Sequence, residues 1–149
     1  MRALPPFSEL WSNYPQGDSD TAKAAIGGAL NLPWVTNTCV IRVCHALILS
    51  GFEISSAHGL NTAKGGNGKR YGFRVREFET YLRAEVGSPT TTVASPKASH
   101  FGGQQGIICF EVSGWADATG HFDLWNGSNP GHAEYFSLSH EAHLWAISG

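Results

Sequence analysis

Only three cysteines occur in the 149 residues of this chain. An odd, small number cannot build a disulfide framework, and at least one thiol stays free. No run approaches the ~20 apolar residues of a membrane-spanning helix, so no membrane span is expected. Charge is also scarce. Asp, Glu, Lys and Arg make up 15% of the chain, with a formal net charge of −2. That leaves no basic field for nucleic acid or for an anionic membrane surface. The opening stretch, MRALPPFSELWSNYP, has one Arg and lacks both the apolar core and the cleavage site of a secretory signal. No signal peptide is expected, and action outside the cytoplasm would need another route.

What the chain does have is hydrophobic mass and turn formers: 42% hydrophobic residues, 18 glycines and five tryptophans. The length is close to that of one ordinary domain, so 1–149 reads as a single domain. A chain of this size buries roughly two-thirds of its unfolded surface and needs no covalent staple.

The order of elements predicts an α+β fold. Phe7 to Tyr14 reads as a short helix, and Asp18 to Leu30 as a second, capped by Ser19 or Asp20. Thr38 to Ser50 has the strongest helical pattern. Asn37 and Thr38 are good N-terminal caps, Gly51 is a good stop, and apolar residues recur at 40, 43, 44, 47 and 48. Residues 55–69 and 88–105 read as polar loops, 71–75 as a short strand, and 75–86 as an amphipathic helix ended by Gly87. Strands are expected at 106–112, 120–125, 134–138 and 143–147. Helices followed by an antiparallel meander suggest the helices packed on a C-terminal sheet.

One arrangement in this pattern suits nucleophilic chemistry. A reactive thiolate needs an imidazole to exchange protons with and a polar group to orient that imidazole. A helix N-terminus favours the negative charge on sulfur. Cys39 is placed there by the capping residues before it. Cys44 falls among the apolar helix positions and Cys109 in the strand Ile-Ile-Cys-Phe, where a free cysteine behaves as a small hydrophobe. His121 opens the strand GHFDLW and is the candidate base. Asp123, two residues on, shares its sheet face. An adjacent strand is better placed to reach the far ring nitrogen, which makes His132 and Glu134 candidates too. His45, His58, His100, His140 and His143 have no such framing. His140 and His143 alone are too few to imply a metal site. KGGNGK (Lys64 to Lys69) lacks the spacing of a phosphate loop and reads as a surface loop.

Four stretches together resemble a known family: NTCVIRVCHALILSGFEI, YGFRV, GIICFEVSGWADATGHFDLWNGS and HLWAIS. They resemble the fourth family of type VI secretion amidase effectors, NlpC-type, papain-like cysteine amidases. The resemblance implies Cys39 as nucleophile and His121 as general base. The family's third site residue is an Asp eleven positions after that His, where this chain has His132. The implied triad is therefore Cys39, His121 and His132, as in related NlpC-type amidases that use two histidines, with Asp123 and Glu134 as substitutes. The family loop after WNGS can carry a cysteine pair, whereas this chain reads SNPGH there.

The implied reaction is hydrolysis of the γ-D-glutamyl–meso-diaminopimelate bond of murein stem peptides, without metal or organic cofactor. The implied partners are that peptide and a cognate immunity protein. The implied route is injection by the type VI apparatus into a recipient's periplasm, which agrees with the missing signal. Two other readings stand beside it: a housekeeping Cys-His hydrolase with another peptide substrate, and a non-catalytic module that binds cell-wall peptides or a partner protein.

Overall fold

In the computed structural model of the chain, residues 1–113 and 120–149 are described. Gly114 to Thr119, inside the third resembling stretch, lie outside the described residues. The first helix, α1 (Phe7–Asn13), buries Phe7 and Leu10. The second, α2 (Ser19–Ile26), starts at Asp18, whose carboxylate accepts the Thr21 N–H at 2.8 Å. Asp18 caps instead of Ser19 or Asp20 because it is the last residue with extended backbone before the helix. The helix stops at Ile26, short of the expected Leu30. Gly27 and Gly28 have φ of 70° and 62°, which a right-handed helix cannot hold. Residues 28–30 form a separate 3₁₀ turn.

The central element is α3 (Cys39–Leu49), buried at every position except His45 and Leu49. Such all-round burial marks a helix inside the core rather than on its surface. It ends as expected, with Gly51 at φ 94°. Next comes a hairpin of β1 (Thr62–Lys64) and β2 (Arg70–Gly72), with the glycine-rich KGGNGK stretch as its turn. This turn packs on the end of α2, where the Gly66 N–H bonds the Ile26 carbonyl at 2.9 Å. The expected strand over 71–75 ends at Gly72, and Val75 opens α4 (Val75–Glu85) instead. Val75, Phe78, Tyr81 and Leu82 line its buried face.

The remaining strands, β3 (Thr91–Ala94), β4 (Gly106–Glu111), β5 (Gly120–Trp125) and β6 (Glu141–Ala146), form one antiparallel sheet in the order β3-β6-β4-β5. Strand β3 falls in a stretch read as loop. It is an edge strand of Thr, Thr, Val and Ala, too polar on alternate positions to stand out. The expected strand at 134–138 is a turn. Leu138 and Ser139 both give their N–H groups to the Tyr135 carbonyl, and Glu134 takes the Phe136 N–H, so the segment bonds to itself.

Alternation along the strands separates two cores. Ile107, Cys109, Phe122, Leu124 and Trp145 join α3 and α4 in the larger one. Ile108, Phe110, Trp125, Ala142 and Leu144 join Phe101 and Phe136 in the smaller one. Phe78 of α4 meets Phe122 of β5 edge to face, with ring centroids 5.0 Å apart. Phe78 is fully buried at this helix–sheet junction. Replacing it with Ala should cost about 3–5 kcal/mol of stability, read by urea unfolding; a loss below about 1 kcal/mol would mean that the junction repacks freely.

Candidate active site

Cys39 is the first residue of α3 and is 3% exposed. Its helix has free N–H groups in the first turn, because no residue precedes them at the right spacing. Thr38 is the N-cap, yet its side chain does not cap. The Thr38 hydroxyl instead accepts a bond from Arg42 Nε at 3.1 Å. Asn37 takes over part of the capping: its Oδ1 accepts the Cys39 N–H at 3.0 Å. The N–H groups of Val40 and Ile41 have no partner within the helix, by helix geometry.

His121 stands on β5, the outer strand of the sheet, opposite Phe110. Its neighbours Phe122 and Leu124 point into the larger core, so His121 and Asp123 occupy the alternate positions. The His121 Nε2–H donates to Asp123 Oδ2 at 2.9 Å. Cys39 acts on the same ring, its side chain and charge favouring the protonated imidazole. Tyr135 stands across the ring at 4.8 Å between centroids. Burial alone would discharge this imidazole. The Asp123 hydrogen bond and the influence of Asp123 and Cys39 outweigh it and push the pKa up to about 9.

Asp123 is completely buried. Besides His121 it accepts the main-chain N–H groups of Leu124 at 2.8 Å, His132 at 3.1 Å and Ala133 at 2.9 Å. The chain after β5 folds back to make this possible, with Trp125 and Pro130 forming a β-bridge. Gly131 is needed in that return. A Cβ there would lie 2.7 Å from the Tyr14 ring and 2.8 Å from Asp123 Oδ1.

The far nitrogen of His121 therefore meets Asp123, not His132 or Glu134. The expectation that a neighbouring strand would supply this contact fails for a topological reason. β5 is an edge strand, and the segment following it brings main-chain N–H groups to the site rather than a side chain. The His132 ring is exposed, and burial of part of it together with the Arg42 charge lowers its pKa. Glu134 bonds its own turn and lines a separate cavity of about 730 Å³ with Lys97, Trp125 and Phe136.

The other thiols are embedded. Burial pushes Cys44 up to about 12, and Cys109 well above its ordinary range. His140 bonds Ser113 Oγ. His143 is buried between Thr92 Oγ1, at 2.9 Å from Nδ1, and Glu111 at Nε2. Glu79, Glu111 and His143 have donor atoms within 4.8 Å of one another, a spacing a metal ion accepts. Arg83 already bonds Glu79 there, at 3.1 Å, and none of Cys39, His121 and Asp123 belongs to this group.

Two side chains at the centre escaped the sequence reading. Tyr14, at the end of α1, lies against Gly131 and Asp123. Burial and the Asp123 charge push its hydroxyl well above its ordinary range. Arg42 is completely buried within α3. Its sequence signal was a lone charge inside the apolar run CVIRVCHALIL.

Comparison with known proteins bears on this geometry. A family model described as "Type VI secretion system (T6SS), amidase effector protein 4" matches residues 35–145, which include Cys39, His121 and Asp123. None of the curated proteins gives a match. Among solved structures, the effector–immunity complex Tae4–Tai4 from Salmonella Typhimurium superposes with a TM-score of 0.91 at 29% identity, covering 97% of this chain and 99% of that one. The same complex from Enterobacter cloacae gives 0.90 at 30% identity, covering 99% and 100%. The Enterobacter cloacae effector alone gives 0.89 at 30% identity, covering 99% and 98%. The chain belongs to the Tae4 family of type VI secretion amidase effectors.

Proposed function

We propose that this chain is a cysteine amidase of peptidoglycan, built on a papain-like, NlpC-type fold and acting as an antibacterial effector. The proposed target is the γ-D-glutamyl–meso-diaminopimelate bond of murein stem peptides in a recipient's periplasm. The observation that carries this reading is an almost buried imidazole, bonded to the Asp123 carboxylate and held charged by that group and by Cys39 at a helix N-terminus. Membership of an amidase effector family supports the reaction class. Relatives crystallised with the immunity protein Tai4 support a dedicated immunity partner for this chain as well.

In this mechanism Cys39 attacks the amide carbonyl as a thiolate. A protonated imidazole beside a thiol favours that form. First-turn N–H groups of α3 face the charge that develops on the carbonyl oxygen. His121, protonated at neutral pH, gives its proton to the leaving amine as the C–N bond breaks, and a thioester on Cys39 remains. Neutral His121 then takes a proton from water, which attacks the thioester and releases the carboxylate product and the thiol. Asp123 keeps the ring in place and matches its charge. His132, the third member implied by family resemblance, supports Asp123 through its main-chain N–H in this scheme.

Cys39→Ala should abolish release of diaminopimelate-containing product from purified murein tetrapeptide while leaving the melting temperature nearly unchanged. Turnover in that variant would remove the nucleophile assignment. Asp123→Asn should lower kcat by about a hundredfold or more, because the amide cannot match an imidazolium, whereas His132→Ala should stay within about tenfold of the parent. The reverse ranking would return the orienting role to the His132 ring.

The pH dependence has a defined sign. The folded pKa of His121 is raised from 6.5 to about 9. The stabilisation from its proton is fully present below about 6.5 and is lost as pH rises through about 9. The acid that protonates the leaving amine disappears over the same range. The alkaline limb of kcat should therefore fall near pH 9, and a limb near 6.5 would contradict the hold of Asp123 and Cys39 on the charge of this ring.

A further inference from the structure

Arg42 is the one Lys or Arg that is buried among the described residues, with none of its surface exposed. It lies on α3, one turn from Cys39. A guanidinium in such a place ordinarily has a carboxylate partner, because an unpaired charge in the interior is strongly disfavoured. Among the described residues no carboxylate lies within ion-pair distance of it. Its Nε donates to Thr38 Oγ1 at 3.1 Å and its Nη1 to the Pro15 carbonyl at 3.0 Å. Among the described residues its Nη2 has no hydrogen-bond partner, and neither has the Tyr14 hydroxyl, also buried, one of good geometry.

The groups around this cation come from every element packed there. Tyr14 ends α1, Asp18 caps α2, Cys39 opens the same helix, His121 and Asp123 stand on β5, and His132 follows β5. The Arg42 charge acts on Tyr14, Asp18 and His132. The charge count at the centre then has a simple form. With a thiolate on Cys39, an imidazolium on His121 and a carboxylate on Asp123, the buried group carries one net negative charge. Arg42 supplies one positive charge in the same interior. Its two bonds reach the residue just before the nucleophile and the segment just after Tyr14, whose ring packs on Gly131 at the Asp123 carboxylate.

We propose that Arg42 is a positioning residue of the amidase, a buried guanidinium that fixes the N-cap of the Cys39 helix and balances the net negative charge of the Cys39–His121–Asp123 centre. This rests on the cysteine-amidase reading above. A lysine would keep the charge and lose the fork, since one ammonium cannot reproduce the planar two-armed hold on Thr38 and Pro15. A methionine would keep much of the volume and lose both.

The test uses the full chain and its Arg42→Lys and Arg42→Met variants. Two quantities are read: the pH midpoint of Cys39 alkylation by iodoacetamide, followed by mass spectrometry, and kcat and KM on murein tetrapeptide. Arg42→Met should move the alkylation midpoint up by about one pH unit, the scale of one lost charge partner, and lower kcat at least tenfold. Arg42→Lys should restore the parental midpoint while kcat stays below the parent. A parental midpoint in Arg42→Met would overturn the proposal. If Arg42→Met lacks the parental circular dichroism spectrum, Arg42→Lys decides alone. A parental midpoint with lowered kcat supports the proposal, and a shifted midpoint or a fully parental kcat overturns it. Cys39→Ala keeps the two levels apart. Activity in that variant removes the catalytic reading itself, whereas an inactive Cys39→Ala beside a parental Arg42→Met removes only the role of Arg42.

Discussion

The structure turns on the completely buried carboxylate of Asp123. A charge there is tolerated only where donors surround it. The described donors are one imidazole N–H and the main-chain N–H groups of Leu124, His132 and Ala133. Supplying them forces the chain after β5 to fold back on its own strand, and forces glycine at position 131. The same carboxylate holds the His121 ring, whose charge Cys39 also favours. Main-chain geometry, electrostatics and the proposed proton relay are therefore one set of bonds rather than separate features.

The Cys39 helix is the second fixed point. It is apolar nearly all round, so the core surrounds it and sets its axis. A surface helix rocks against one neighbour, whereas this one is packed against β5, the hairpin and α1 together. Its first turn is then held by Asn37 just before it and by Arg42 one turn along. Rigid support of this kind is what nucleophilic chemistry asks of a scaffold, because reacting atoms must stay near attack distance. The Glu79–Glu111–His143 network, with Arg83, ties α4 to the opposite part of the sheet. It leaves Cys39 and His121 to their own support.

The sequence read well where local chemistry and packing agree. The cap residues before Cys39, the apolar stripe behind it and Gly51 after it marked α3 to within a residue or two. GHFDLW alternates so regularly that β5 and the position of His121 were legible without a fold. It read poorly where the outcome rests on a distant partner. Strand β3 exists because β6 is there to pair with it. The 134–138 segment has strand-like residues but bonds within itself.

Residue type and spacing alone thus determined an α+β chain with one cysteine at a helix mouth and a histidine at the start of the strand GHFDLW. They also determined that Asp123 shares a sheet face with His121, because side chains alternate with period two. Tertiary structure alone decided which polar atom meets the ring. That choice needed the edge position of β5 and the return of residues 130–133, both set by contacts far apart in sequence. It also decided that Arg42 is interior. A helix carries charge on whichever side the rest of the molecule leaves to water, and here no side of that turn was left.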